Sequence, residues 1–202
     1  KQIIEKGQLG MCAGICVMKH HFPFHAAYHL AEELIRSAKE VKDKPLSAMG
    51  ALDFHILYDT TASSLEEIRK KLLRRKERLL LTAKPFVVTE SEKHDWVEDH
   101  RWSRFEEAVK ALKGRDREGN LLLPSSQSHA VRDALHRESK ATLEAEWEIL
   151  LKKYDKFELS WKATGRNYDS LFFFLREGEL ENSKATVFQD ALEALEFMKS
   201  GN

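Results

Sequence analysis

The run Met11 to Met18 is apolar or small throughout and is stopped by Lys19, His20 and His21. A short uninterrupted apolar run of this kind predicts a buried strand. Pro23 then suits the first turn of a helix, where its missing N–H costs nothing. From Phe24 the apolar period changes to three and four, with Ala27, Leu30, Ala31, Leu34, Ile35, Ala38 and Val41 forming one stripe. The polar stretch 42–44 and Pro45 stop that helix. Leu52, Phe54, Ile56 and Tyr58 alternate with Asp53, His55 and Asp59, which predicts a second strand with one face more buried than the other. Strand, helix and strand in this order form the unit that sets two strands in one sheet with a helix across its face.

Beyond residue 59 the pattern becomes mostly helical. Residues 60–64 read as a polar linker, with Ser63 or Ser64 as a cap and Glu66 and Glu67 favourably placed in the first turn of a helix. The stretch 79–89 reads as a short extended pair broken at Pro85, and 103–114 as an amphipathic helix ending at Gly114. After a turn at 114–120 come four segments read as helices. They begin at Leu123 (capped by Ser125 or Ser126), Lys140, Asn167 and Lys184. The expected fold class is α+β: a partial ferredoxin-like palm, strand-helix-strand, over residues 1–59, followed by a mostly helical domain over 60–202.

Composition changes this picture little. Lysine plus arginine and aspartate plus glutamate number 33 each, so no global field draws nucleic acid or anionic membrane, and any such contact needs a local patch. No run approaches the roughly 20 apolar residues of a membrane span, and no membrane role is expected. Cys12 and Cys16 share one strand, too far apart along it to bridge, which fits a reduced, cytoplasmic protein.

Three constellations could carry chemistry. His21, His25 and His29 are spaced by four, but no third ligand accompanies the helical pair, so boundary histidines on an amphipathic helix are the expectation and no metal site is assigned. Asp53 and Asp59 would lie about 20 Å apart on a strand. That is too far to share ions about 4 Å apart. The densest basic stretch contains Arg69, Lys70, Arg74, Lys76 and Arg78, candidates for RNA backbone contact on what otherwise reads as a solvated helix face. Neither cysteine has a neighbour that would activate it, and the Thr-Gly-Arg-Asn turn at 164–167 is too short for a phosphate loop. No catalytic residue follows from spacing alone.

The segment "CAGICVMKHHFPFHAAYHLAEELIRSAKE", followed by "ALDFHIL", resembles the second palm domain of the large polymerase/cyclase subunit of type III CRISPR effector complexes. More distantly it is similar to GGDEF-type cyclases. "LLLTAKPFVVTE" and "LLLPSSQSHAVRDALH" are similar to later motifs of that subunit, in the same order. The resemblance implies an ATP-binding palm that uses magnesium or manganese to make cyclic oligoadenylate in antiviral defence, with other effector subunits, crRNA and target RNA as partners. The family's metal ligands sit in a Gly-Gly-Asp-Asp hairpin, and no such motif occurs here. The chain begins at Lys1, so the expectation is a piece that starts after that hairpin and is inactive alone. By resemblance Lys39 would contact nucleotide phosphates, and Lys19, His20 and His21 would line the same pocket. Cys12 stands where the family usually has serine, which removes a strong hydrogen-bonding hydroxyl. A non-enzymatic scaffold with a degenerate palm, binding RNA or protein, is the alternative. A bacterial dinucleotide cyclase fits less well, because that family ends close to its last palm strand.

Overall fold

The computed structural model describes residues 10–41, 50–57, 63–88, 97–98, 100–162, 171–175 and 183–198. Asp59, the stop at 42–45 and the turn at 164–167 lie outside them. In chain order the elements begin β1 (Cys12–Val17), α1 (Phe24–Glu40), β2 (Ala51–Ile56), α2 (Leu65–Leu72), β3 (Leu73–Arg74), β4 (Leu79–Leu80) and β5 (Phe86–Val87). They continue as α3 (Trp102–Lys113), α4 (Ser125–Arg137), α5 (Lys140–Lys153), α6 (Asp155–Lys162), β6 (Phe173–Phe174), β7 (Lys184–Ala185) and α7 (Phe188–Met198). They divide into two compact units, one within 1–71 and 84–102 and the other within 72–83 and 103–202. A single boundary at 59/60 was expected, whereas the chain passes between the units at three places.

In the first unit β1 and β2 pair in parallel, Cys12 opposite Ala51 through Val17 opposite Ile56. β5 adds to the far side of β2 in the antiparallel sense, giving the order β1-β2-β5. α1 is the crossover, and its predicted stripe is the one it buries: Ala27, Leu30, Leu34 and Ala38, with Val41 just beyond. Gly14 permits the close approach of helix and sheet. A Cβ there would stand 2.5 Å from the Ile35 nitrogen and 2.7 Å from the Ala31 oxygen. α2 packs on the same side through Leu65 and Ile68, in a cluster with Phe22, Leu30, Leu34 and Leu57. The N-terminus of α2 is fixed twice. Ser64 and Glu67 exchange hydrogen bonds in a capping box, and the Leu65 N–H donates to Glu33 of α1 at 2.6 Å.

Two expectations for these strands change. β1 is an edge strand rather than a buried one: Met11 is 82% and Ile15 45% exposed on the face away from α1. β2 is covered on both faces, because Ala51 and Asp53 lie under the helices while Phe54 and Phe86 stack at 6.2 Å on the other side.

The second unit carries a four-stranded sheet in the order β3-β4-β7-β6, of which sequence periodicity gave only β4. β6 and the start of the last segment were expected to be helical. They are strands because Lys184-Ala185 pairs in parallel with Leu79-Leu80 and antiparallel with Phe173-Phe174. Trp147, Phe157, Trp161 and Phe188 form the unit's aromatic centre, with ring centroids 5.3 to 6.1 Å apart. Buried Asp190 ties α7 to the 82–83 segment, accepting from the Thr82 hydroxyl and the Ala83 N–H, both at 2.8 Å. α4 begins after Pro124 without a side-chain cap, so neither Ser125 nor Ser126 acts as expected, whereas Ser139 caps α5 through the Thr142 N–H.

Candidate functional site

The parallel pair β1 and β2 defines a carboxyl end of the first unit's sheet. In open α/β sheets ligands bind beyond the carboxyl ends of the parallel strands. Lys19, His20 and His21 occupy that place, immediately after β1 and before α1. They form a tight turn closed by the Phe22 N–H on the Lys19 carbonyl at 2.9 Å, with Phe22 buried beneath as its anchor. The His20 and His21 rings lie 3.6 Å apart between centroids, and all three side chains are exposed.

Lys39 is exposed in the last turn of α1. With a rise of 1.5 Å per residue the helix carries it about 22 Å from Phe24. The structure therefore brings Lys19, His20 and His21 together and leaves Lys39 at the opposite end of the helix. His25 and His29 are exposed, and His29 pairs with Glu32 at 3.5 Å. No group of three or more His, Cys, Asp or Glu side chains able to hold a metal occurs among the described residues.

Asp53 is the one carboxylate on β2 within these residues, and it is fully engaged inside the unit. Arg69 Nη2 donates to both of its oxygens at 2.6 and 2.8 Å, and the Ser37 hydroxyl donates at 2.6 Å. The magnesium or manganese of the resembled family needs oxygen ligands open to an ion. An Asp53 saturated by a guanidinium does not provide them, so the residues present do not fit such a metal. The sequence had no signal for the Asp53–Arg69 pair, since the two residues lie 16 apart in different elements.

The basic stretch is not one helix face. α2 ends at Leu72, and Leu73, Leu79 and Leu80 draw the chain into the β3–β4 hairpin around a 3₁₀ turn at Arg75–Glu77. Arg69 and Lys70 belong to the first unit, and Arg74, Lys76 and Arg78 to the second. Arg69 is committed to Asp53. Arg74 is committed to the Leu135 carbonyl and Glu77, both at 2.7 Å. Lys70, Lys76 and Arg78 are exposed, Arg78 in the left-handed region at φ 51°.

Both cysteines are free thiols. Burial pushes the Cys16 thiol up from its ordinary range, against a nucleophilic role. Sequence reasoning passed over Phe24 and Tyr28, which lie one turn apart at the start of α1 and remain 71% and 54% exposed. No helix among the described residues is long and apolar enough to cross a membrane. No protein-family model matches this chain, and no curated protein matches it either.

Proposed function

We propose that this chain supplies one wall of an ATP pocket in the large subunit of a type III CRISPR effector complex, a cytoplasmic assembly with crRNA, target RNA and further subunits. The single observation that supports the reading is the placement of Lys19, His20 and His21 beyond the carboxyl end of the parallel pair β1–β2. A lysine and two imidazoles there suit a triphosphate, the lysine as a mobile point charge. Lys39 is too distant to share that role. In this reading the chain holds no metal and performs no transfer step, since Asp53 is spent on Arg69. Oligoadenylate synthesis would belong to the whole subunit.

Photocrosslinking with an azido-ATP analogue, mapped by peptide mass spectrometry, tests this. Labelling should fall on 18–25, and K19A/H20A/H21A should weaken nucleotide binding about tenfold, the value of one or two charge-assisted contacts. Labelling elsewhere, or oligoadenylate made from ATP and magnesium or manganese by this chain alone, would overturn it. The non-enzymatic scaffold is favoured by one specific observation, the closure of Asp53 by Arg69 and Ser37. Absence of any nucleotide binding would leave that reading in place.

A further inference from the structure

The solvent face of α1 is chemically unlike the rest of the chain. Residues 10–31 contain no aspartate or glutamate, although 33 of the 202 residues are acidic. The same stretch holds Lys19 and four of the nine histidines: His20, His21, His25 and His29. Of the first carboxylates that follow, Glu33 accepts from the Leu65 N–H at 2.6 Å, and the partly exposed Glu32 lies 3.5 Å from His29. Arg36 is exposed one turn beyond Glu32.

Set among these groups are two aromatic rings on successive turns. Phe24 and Tyr28 lie 6.3 Å apart between centroids, and Tyr28 also meets the His29 ring edge-on at 6.1 Å. The buried stripe of α1 is complete without them, so folding gains little from either ring. An apolar ring pair beside Lys19, Arg36 and N–H-bearing imidazoles, on a segment without a carboxylate of its own, matches a ligand with flat faces and negative charge. Stacking on aromatic rings beside a positive track is how unpaired nucleic acid is held without sequence preference.

We propose that the exposed face of α1 is a binding platform for single-stranded RNA, with bases stacked on Phe24 and Tyr28 and phosphates drawn to Lys19 and the imidazoles of His21, His25 and His29. The proposal needs neither the ATP pocket nor the basic stretch at 69–78, because every residue it uses lies on α1 or on the turn before it. A duplex is a poor ligand here, since its base faces are already stacked.

The test is fluorescence anisotropy of the full chain with a labelled single-stranded RNA of about ten nucleotides, a length within the usual range of such sites. It is run at about 0.1 M salt, where surface charges still act over roughly 10 Å. F24A/Y28A should weaken binding at least tenfold, the lower end for two stacking contacts. F24Y/Y28W should keep it within a few-fold. K19A should lower the magnitude of the salt slope by about one phosphate's worth. A duplex of equal length should bind at least tenfold more weakly. Because both rings are exposed, unchanged circular dichroism and hydrogen exchange in F24A/Y28A keep a folding defect from imitating the result. Three outcomes overturn the proposal: wild-type binding no tighter for the single strand than for the duplex, equal affinity of F24A/Y28A and wild type, or loss of affinity only in K70A/K76A. A wild-type chain that binds no oligonucleotide overturns it too. Loss of ATP labelling with RNA binding intact would sink the pocket reading alone.

Discussion

Replacing Arg69 by methionine separates the two roles that a basic residue in this stretch can have. Asp53 is 0% exposed, and it is held by two contacts from Arg69 and one from the Ser37 hydroxyl. Methionine keeps most of the side chain's packing but strands the carboxylate with one neutral donor. Removing one partner of a buried pair in this way costs about 3–5 kcal/mol. D53N should cost less, about 1–3 kcal/mol, because the partly exposed Arg69 head can turn toward water. In the double variant D53N/R69M the losses should not add. A coupling of roughly 2 kcal/mol is expected for residues in direct contact. Hydrogen exchange read peptide by peptide over 50–57 and 65–72 reports the first unit without assuming that both units unfold together. If R69M changes protection there by less than about 0.5 kcal/mol, the range of an ordinary surface substitution, the buried-pair reasoning fails. Arg69 would then return to the list of RNA contacts.

Two further outcomes follow from the same structure. G14A should push α1 off β1, since the new methyl would meet backbone atoms at 2.5 and 2.7 Å and not a movable side-chain tip. A loss of about 1–3 kcal/mol, typical of overpacking, should appear as faster exchange in 12–17 and 24–40, and unchanged exchange would refute the close approach. His136 concerns the second unit. Burial holds its pKa below the ordinary histidine value, with nearby Arg74 and Arg132 adding to the effect and the Gln189 side chain opposing it. The unfolded chain therefore takes up this proton first, and the stability tied to neutral His136 is lost as pH falls from the ordinary value through the folded one. Urea midpoints measured between about pH 7 and pH 5 should fall in the wild type and fall less in H136Q; parallel curves would show that His136 is not the group responsible.

The parts of the fold that could be read from the sequence are those in which one local period is unopposed. α1 is the clearest case, because its stripe 27-30-34-38 keeps one helical spacing over the whole element and is buried along its length. The parts that misled are decided by distant partners. A strand as apolar as β1 reads as buried, but whether its second edge is covered depends on what pairs with it. The run Leu171 to Leu175 is too short for periodicity to separate helix from strand. Lys184 and Ala185 are good helix formers placed in a strand by Leu79 and Leu80, over a hundred residues earlier. The candidate site divides in the same way. Lys19, His20 and His21 adjoin in sequence and so stay together in space, whereas Lys39 was grouped with them although an intact helix separates it.

The fate of the arginines moves the candidate anion contacts from 69–78 to the turn and helix at 19–29. By density of charge the stretch 69–78 was the natural site for a polyanion, but density counts only side chains that face solvent. Arg69 and Arg74, two of the stretch's four arginines, spend their guanidinium groups on Asp53, Glu77 and a carbonyl. The turn and helix at 19–29 hold fewer formal charges. They nonetheless contain no carboxylate of their own, follow the end of a parallel strand and carry exposed rings. An anion arriving at Arg69 or Arg74 must compete with internal partners already within 2.8 Å, whereas at 19–29 it meets exposed side chains and the surface His29–Glu32 contact at 3.5 Å. For a chain whose total charge is zero, that local difference is what favours 19–29 over Arg69 and Arg74 in the proposed contacts with a nucleotide or an RNA strand.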